Sequence, residues 1–126
     1  VAFGHDCVMD PWYSLGSGDM LEVAHMGLHV AQMTSQAGMR QCFDAVTVNA
    51  ARVMGLDGYG IYVGRDASFV LLQARDPVEA IRLRATRLKV WRKGVLLAQT
   101  APSAAQLSLP GRMGSTAFMP AKAAGG

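Results

Sequence analysis

The sequence predicts an α/β chain, and three observations carry that expectation. A short apolar lead, residues 1–5, ends in a single acid, Asp6, and opens into a long loop. Two stretches with helical spacing of apolar residues follow, at 19–33 and 40–54. Beyond Leu56, glycines break the chain and short apolar strands take over around one brief helix.

In chain order, residues 1–5 are expected to be the end of a buried strand with Asp6 at its C-terminal tip. A strand of that kind delivers a carboxylate to the mouth of a barrel, where the βα loops build the site. Pro11, Gly16 and Gly18 punctuate the loop over 7–18. Ser17 is the expected N-cap of the first helix, and Asp19 and Glu22 set negative charge at its positive end. Leu21, Ala24, Leu28 and Ala31 share one face while Met26, Val30 and Met33 cover another, so this helix needs neighbours on more than one side. The second helix is expected to bury Phe43, Val46, Ala50 and Val53 and to stop at Gly55. Residues 69–72 read as a strand, Asp76-Pro77 as an N-cap with proline at the first helical position of a helix to about 84. Residues 88–91 and 95–98 read as a hairpin about Arg92-Lys93-Gly94, with Phe69 and Trp91 in its core. Residues 101–126, rich in Ala, Ser, Pro and Gly, are expected to form an irregular tail.

Composition narrows the function. The apolar fraction of 51% is high for a chain of 126 residues, and the mean hydropathy is +0.19. Both suit a piece of a large interior, since an eight-stranded β/α barrel takes about 250 residues. No apolar run approaches the ~20 residues that span a bilayer, and no basic n-region or signal core opens the chain. Cys7 and Cys42 make no disulfide framework and lack metal-finger spacing, which fits a reduced, cytoplasmic setting. The net charge of +3 comes mainly from Arg82, Arg84, Arg87, Lys89, Arg92 and Lys93. No aromatic ladder accompanies them, so a solvated face is expected and no nucleic-acid or membrane partner.

Phe3 to Asp6, then Met9 to Tyr13, then Gly16 to Met20 resemble the segment that closes the barrel of bacterial cytosine deaminases, in the amidohydrolase superfamily. The resemblance runs on through His25-Met26-Gly27-Leu28-His29-Val30, weakens after Asp44 and returns in Ala50-Ala51-Arg52, Tyr59-Gly60-Ile61 and Gly64. It covers residues 1 to about 73. It implies the C-terminal part of a metal-dependent (β/α)8 TIM-barrel hydrolase: the last strand and helices of the barrel in 1–55, part of a small β-domain in 56–100, and the tail in 101–126. The implied activity is hydrolytic deamination of cytosine, or a substituted cytosine, to uracil and ammonia. A divalent metal, iron or zinc, is the implied cofactor, a pyrimidine or related heterocycle the small-molecule partner, and a homo-oligomer the implied assembly of the whole enzyme. Most metal ligands come from upstream strands in that family, so this chain alone is expected to be inactive.

By the same resemblance, Asp6 contacts the metal and shuttles a proton during catalysis. His5 adjoins it, but strand side chains alternate faces, so His5 is expected to pack or to support Asp6 from outside the site. Cys7 stands where the family commonly has a second aspartate, close to the substrate ring; its softer surface would suit a 5-methyl group. Trp12 matches an aromatic that walls the pocket, and Asp10, before proline, is expected to set a turn. His25 and His29, four apart, could chelate a metal, but no Glu follows His25, and they are expected to pack the helix. Two other readings stay open. One is an amidohydrolase acting on isoguanine or an aminotriazine; the other is a non-catalytic assembly module.

Overall fold

The computed structural model describes residues 1–106, 108, 110–111 and 115–117. Helix α1 (Met20–Val30) starts at Asp19, whose carboxylate accepts from the Leu21 and Glu22 amides at 2.7 and 3.2 Å. The cap is thus Asp19 and not Ser17. The Ser17 hydroxyl instead donates to Glu22 and accepts from the Asp19 amide, one step outside the helix. Asp19 also takes a bidentate bond from Arg87, so one carboxylate ends a helix and ties it to a strand 68 residues on.

The expected second helix is two helices, α2 (Gln36–Val46) and α3 (Val48–Val53). Thr47 breaks it: its backbone leaves the helical region (φ −123, ψ −98) while its hydroxyl donates back to the Phe43 carbonyl at 2.7 Å. Such back-bonding bends helices. The new axis turns Val53 out to solvent and leaves Ala51 as the buried residue of α3, in place of the expected Val53.

Strand β1 (Phe69–Leu72), helix α4 (Pro77–Leu83), β2 (Arg87–Arg92) and β3 (Val95–Gln99) follow as expected. The three strands form an antiparallel sheet in the order β1-β2-β3, with Phe69 opposite Trp91 and Val90 opposite Ala98. Lys93 and Gly94 turn the hairpin, both at positive φ (49 and 80), the twist a two-residue turn requires. Phe69 and Trp91 stack at 4.8 Å, yet Phe69 is exposed and Trp91 only half-buried. No described layer covers that face of the sheet.

Asp76 caps α4 through the Glu79 amide, and α4 packs beside α1 and α2 rather than on the sheet alone. Leu21, Ala24 and Leu28 meet Cys42, Ile81 and Ala85 in one small core. Gly27 lets Phe3 lie across α1, since a Cβ there would sit 2.6 Å from the Phe3 ring.

Two further expectations fail for physical reasons. Residues 1–5 form no strand: no described strand lies beside them, and Phe3 gives its amide to the Ala45 carbonyl instead of to a ladder. The tail is not wholly irregular, because β4 (Ala104–Gln106) pairs antiparallel with β5 (Ser115–Ala117). The remainder of the expected tail lies outside the described residues. No described helix is long and apolar enough to cross a membrane.

Candidate active site

The loop after Phe3 is folded around one imidazole. His5 Nδ1–H donates to the Cys7 carbonyl at 3.0 Å, since a carbonyl only accepts; Nε2 then keeps its lone pair and accepts from the Gly18 amide at 3.1 Å. Both ring nitrogens are engaged, so none is left for a metal. His5 is a brace, in line with the supporting role expected of it.

That brace spans Asp6. The Asp6 backbone sits at φ 62, a left-handed conformation that aspartate adopts more readily than most residues. With its neighbours tied by the His5–Cys7 bond, the carboxylate projects outward. It is exposed, and no described group donates a hydrogen bond to it. Gly16 completes the arrangement: a Cβ there would lie 2.3 Å from the Cys7 carbonyl oxygen and 2.9 Å from His5 Cε1. The close approach demands glycine.

Cys7 is half-buried, close to the Asp10 carboxylate. Asp10, then burial, then the negative Asp6 push the thiol pKa up. A thiol held protonated is a poor nucleophile, which leaves Cys7 as a neutral, polarizable surface. Asp10 accepts from the Trp12 and Tyr13 amides at 2.9 and 3.1 Å and sets the turn. Burial would raise its pKa, but those amides and the thiol outweigh it and hold the carboxyl below its usual range. The Trp12 ring is 89% exposed, supported by the turn and covered by nothing described.

Asp6, Cys7 and Trp12 therefore share one loop but do not line one cavity. The adjacent cavity, of about 720 Å³, is lined by Phe3, His5, Tyr13, Leu15, Met26 and Val30, among others. Among the described residues no group of three His, Cys, Asp or Glu side chains could hold a metal ion. Asp6 fits a divalent ion as one oxygen donor of a larger set, because its acceptor capacity is unspent.

Residue reasoning missed the Gly16 contact and the Arg87–Asp19 pair. Gly16 was legible only as a loop breaker, and Arg87 as one more charge in a solvated cluster. Burial tends to raise the Asp19 pKa, but Arg87 and the two helix amides prevail and set it below the usual carboxylate range. His25 and His29 sit on α1, outside this loop, with His25 bonded to the Ile81 carbonyl of α4.

Comparison with known proteins places this geometry in a wider frame. N-isopropylammelide isopropyl amidohydrolase of Pseudomonas sp. (strain ADP) is 31% identical over 93 residues, 73% of this chain and 23% of that protein. The structure of 5-methylcytosine deaminase from Klebsiella pneumoniae with phosphonocytosine superposes with a TM-score of 0.76 at 35% identity, covering 86% of this chain and 26% of that one. Its 5-fluorocytosine complex gives 0.77, also at 35% identity, over 88% and 27%. N-isopropylammelide isopropylaminohydrolase from Burkholderia multivorans gives 0.70 at 34% identity, over 73% and 24%. The chain spans about a quarter of the length of these relatives. A model of the amidohydrolase family matches residues 1–98; the chain belongs to that family.

Proposed function

We propose that this chain is the C-terminal portion of a metal-dependent hydrolytic deaminase that converts cytosine, or a 5-substituted cytosine, to uracil and ammonia. In this reading residues 1–55 close a (β/α)8 barrel, residues 56–100 belong to a small β-domain, and the remaining metal ligands lie on other segments of the protein. The supporting observation is Asp6: a free carboxylate, braced by His5 in a left-handed conformation, in a chain 35% identical to a 5-methylcytosine deaminase over 86% of its length.

Asp6 would hold a divalent ion, iron or zinc, which when bound would supply an acidified water by lowering its pKa to about 7. Asp6 takes the proton that the attacking water gives up and returns it to the ring's amino nitrogen, so that ammonia departs neutral. His5 keeps the carboxylate aimed by fixing the backbone on either side. Cys7 offers the ring a neutral, polarizable neighbour where an aspartate would add a charge and an acceptor, which favours a 5-methyl substituent. Trp12 supplies a flat wall for a planar ring, with stacking contributing about 0.5–1.5 kcal/mol beyond burial.

A second reading, an aminotriazine amidohydrolase, is favoured by the two relatives named for N-isopropylammelide. A substrate panel on the full-length protein separates the two. Expected is ammonia release from 5-methylcytosine with a higher kcat/KM than from cytosine, and a reversal of that order in Cys7→Asp. Turnover of N-isopropylammelide with no turnover of either cytosine would favour the second reading.

A further inference from the structure

His25 and His29, one helical turn apart on α1, stand outside the proposed active site, and neither deamination reading uses them. His25 Nδ1 lies 3.0 Å from the Ile81 carbonyl oxygen. The carbonyl only accepts, so Nδ1 carries the proton and Nε2 presents its lone pair. The His29 Nε2 lies 3.3 Å from that lone pair, and the rings meet edge to face at 4.9 Å. Zinc–imidazole bonds of about 2.0–2.1 Å at a tetrahedral angle put the two nitrogens about 3.3 Å apart. A square-planar pair would need about 2.9 Å with bonds of that length. The observed separation, held in the metal-free chain by the contact between the two rings, matches the spacing a tetrahedral chelate needs. The Ile81 carbonyl also provides the outer hydrogen bond that fixes tautomer and ring orientation in metal-binding histidines.

We propose that His25 and His29 form a zinc-binding site, using the Nε2 atom of each, with the other two positions open to water or a third ligand. In the metal-free chain the His29 Nε2–H donates to His25. On binding, that proton relocates to His29 Nδ1, so both histidines ligate as neutral imidazoles and no net proton is released. Because His25 is bonded to α4 through Ile81, the ion rigidifies the join between α1 and α4. The site is independent of Asp6.

Cobalt(II), which takes zinc's tetrahedral sites and reports on them by visible absorption, is the probe, with zinc as competitor. Titration of the chain is expected to give one equivalent of tetrahedral cobalt absorption, displaced by zinc, and a rise in Tm with zinc. His29→Ala, at an exposed position, is expected to weaken zinc binding by at least about tenfold and to abolish the Tm rise. Circular dichroism checks that His29→Ala remains folded, and His29→Asn serves as a second variant at the same position. Tetrahedral absorption that survives both His29 variants, or its absence from the wild type, would overturn the proposal.

Discussion

Asp6 owes its position to its two neighbours and to a glycine ten residues on. The His5 ring bridges the Cys7 carbonyl and the Gly18 amide, and Gly16 passes so close to both that one methyl group would lie 2.3 Å from backbone. Backbone cannot swing aside as a long side chain can. Gly16→Ala is therefore expected to cost about 1–3 kcal/mol through overpacking and to release the brace. A urea melt should show the lost stability, and the His5 ring NMR signals should lose their hydrogen-bonded shifts. An alanine variant with unchanged stability and an intact His5 signature would mean that the loop relaxes around a methyl group. Asp6 and Gly16 were both visible in the sequence, one as a lone acid after an apolar lead and the other as a breaker. The bond that joins their fates was not, because it depends on a ring nitrogen reaching across thirteen residues.

Among the elements, α4 and the hairpin were legible because their signals are local. Asp76-Pro77 caps and starts a helix whatever surrounds it, and Gly94 takes positive φ at no steric cost, which closes a two-residue turn with Lys93. The break at Thr47 was hidden, since apolar spacing runs through it and only the hydroxyl's choice of the Phe43 carbonyl ends the helix. Helix α1 shows the mixed case: acid near its start was foreseen, but the cap moved two residues to where Arg87 could also reach it. That pairing has a pH signature. The Asp19 carboxyl is held below its usual range, so its contribution is fully present above the unfolded value of about 3.9 and is lost as pH falls through the lower folded value. Asp19→Asn keeps a capping oxygen but removes the charge, at an expected cost of about 1 kcal/mol at neutral pH. Denaturation at several pH values should show that difference level above about pH 5 and shrinking below about pH 4. A difference that persists undiminished to pH 3 would assign the cost to something other than the ionised pair.

For the molecule as a whole, the apolar surface is the informative quantity. Met26 and Val30 of α1 are 52% and 79% exposed beside Phe3 and Tyr13, where they line the 720 Å³ cavity. Leu96 and Leu97 stand exposed on β3, and the described core is confined to a few side chains between α1, α2 and α4. Surface of this extent in a globular protein marks a contact with further structure. Helix α1 is covered on one face only, at Leu21, Ala24 and Leu28, while Ala31, expected on that face, and Met26 and Val30 of the other stay exposed. Residues 1–5 make the same point from the other direction: strand propensity alone yields no strand when no partner offers a ladder. Alternation of apolar residues could announce these surfaces, but not what covers them.

Function at this scale returns to one carboxylate in its complete surroundings. The most direct measurement is the rate of ammonia release from 5-methylcytosine and cytosine by the full-length protein and by its Asp6→Asn variant, with circular dichroism confirming the fold. Asparagine tolerates the left-handed backbone at this position, so the variant is expected to fold as the wild type does and to lose roughly 10²–10⁴-fold in kcat. A folded Asp6→Asn enzyme that turns over at the wild-type rate would contradict the assignment of Asp6 to the chemistry.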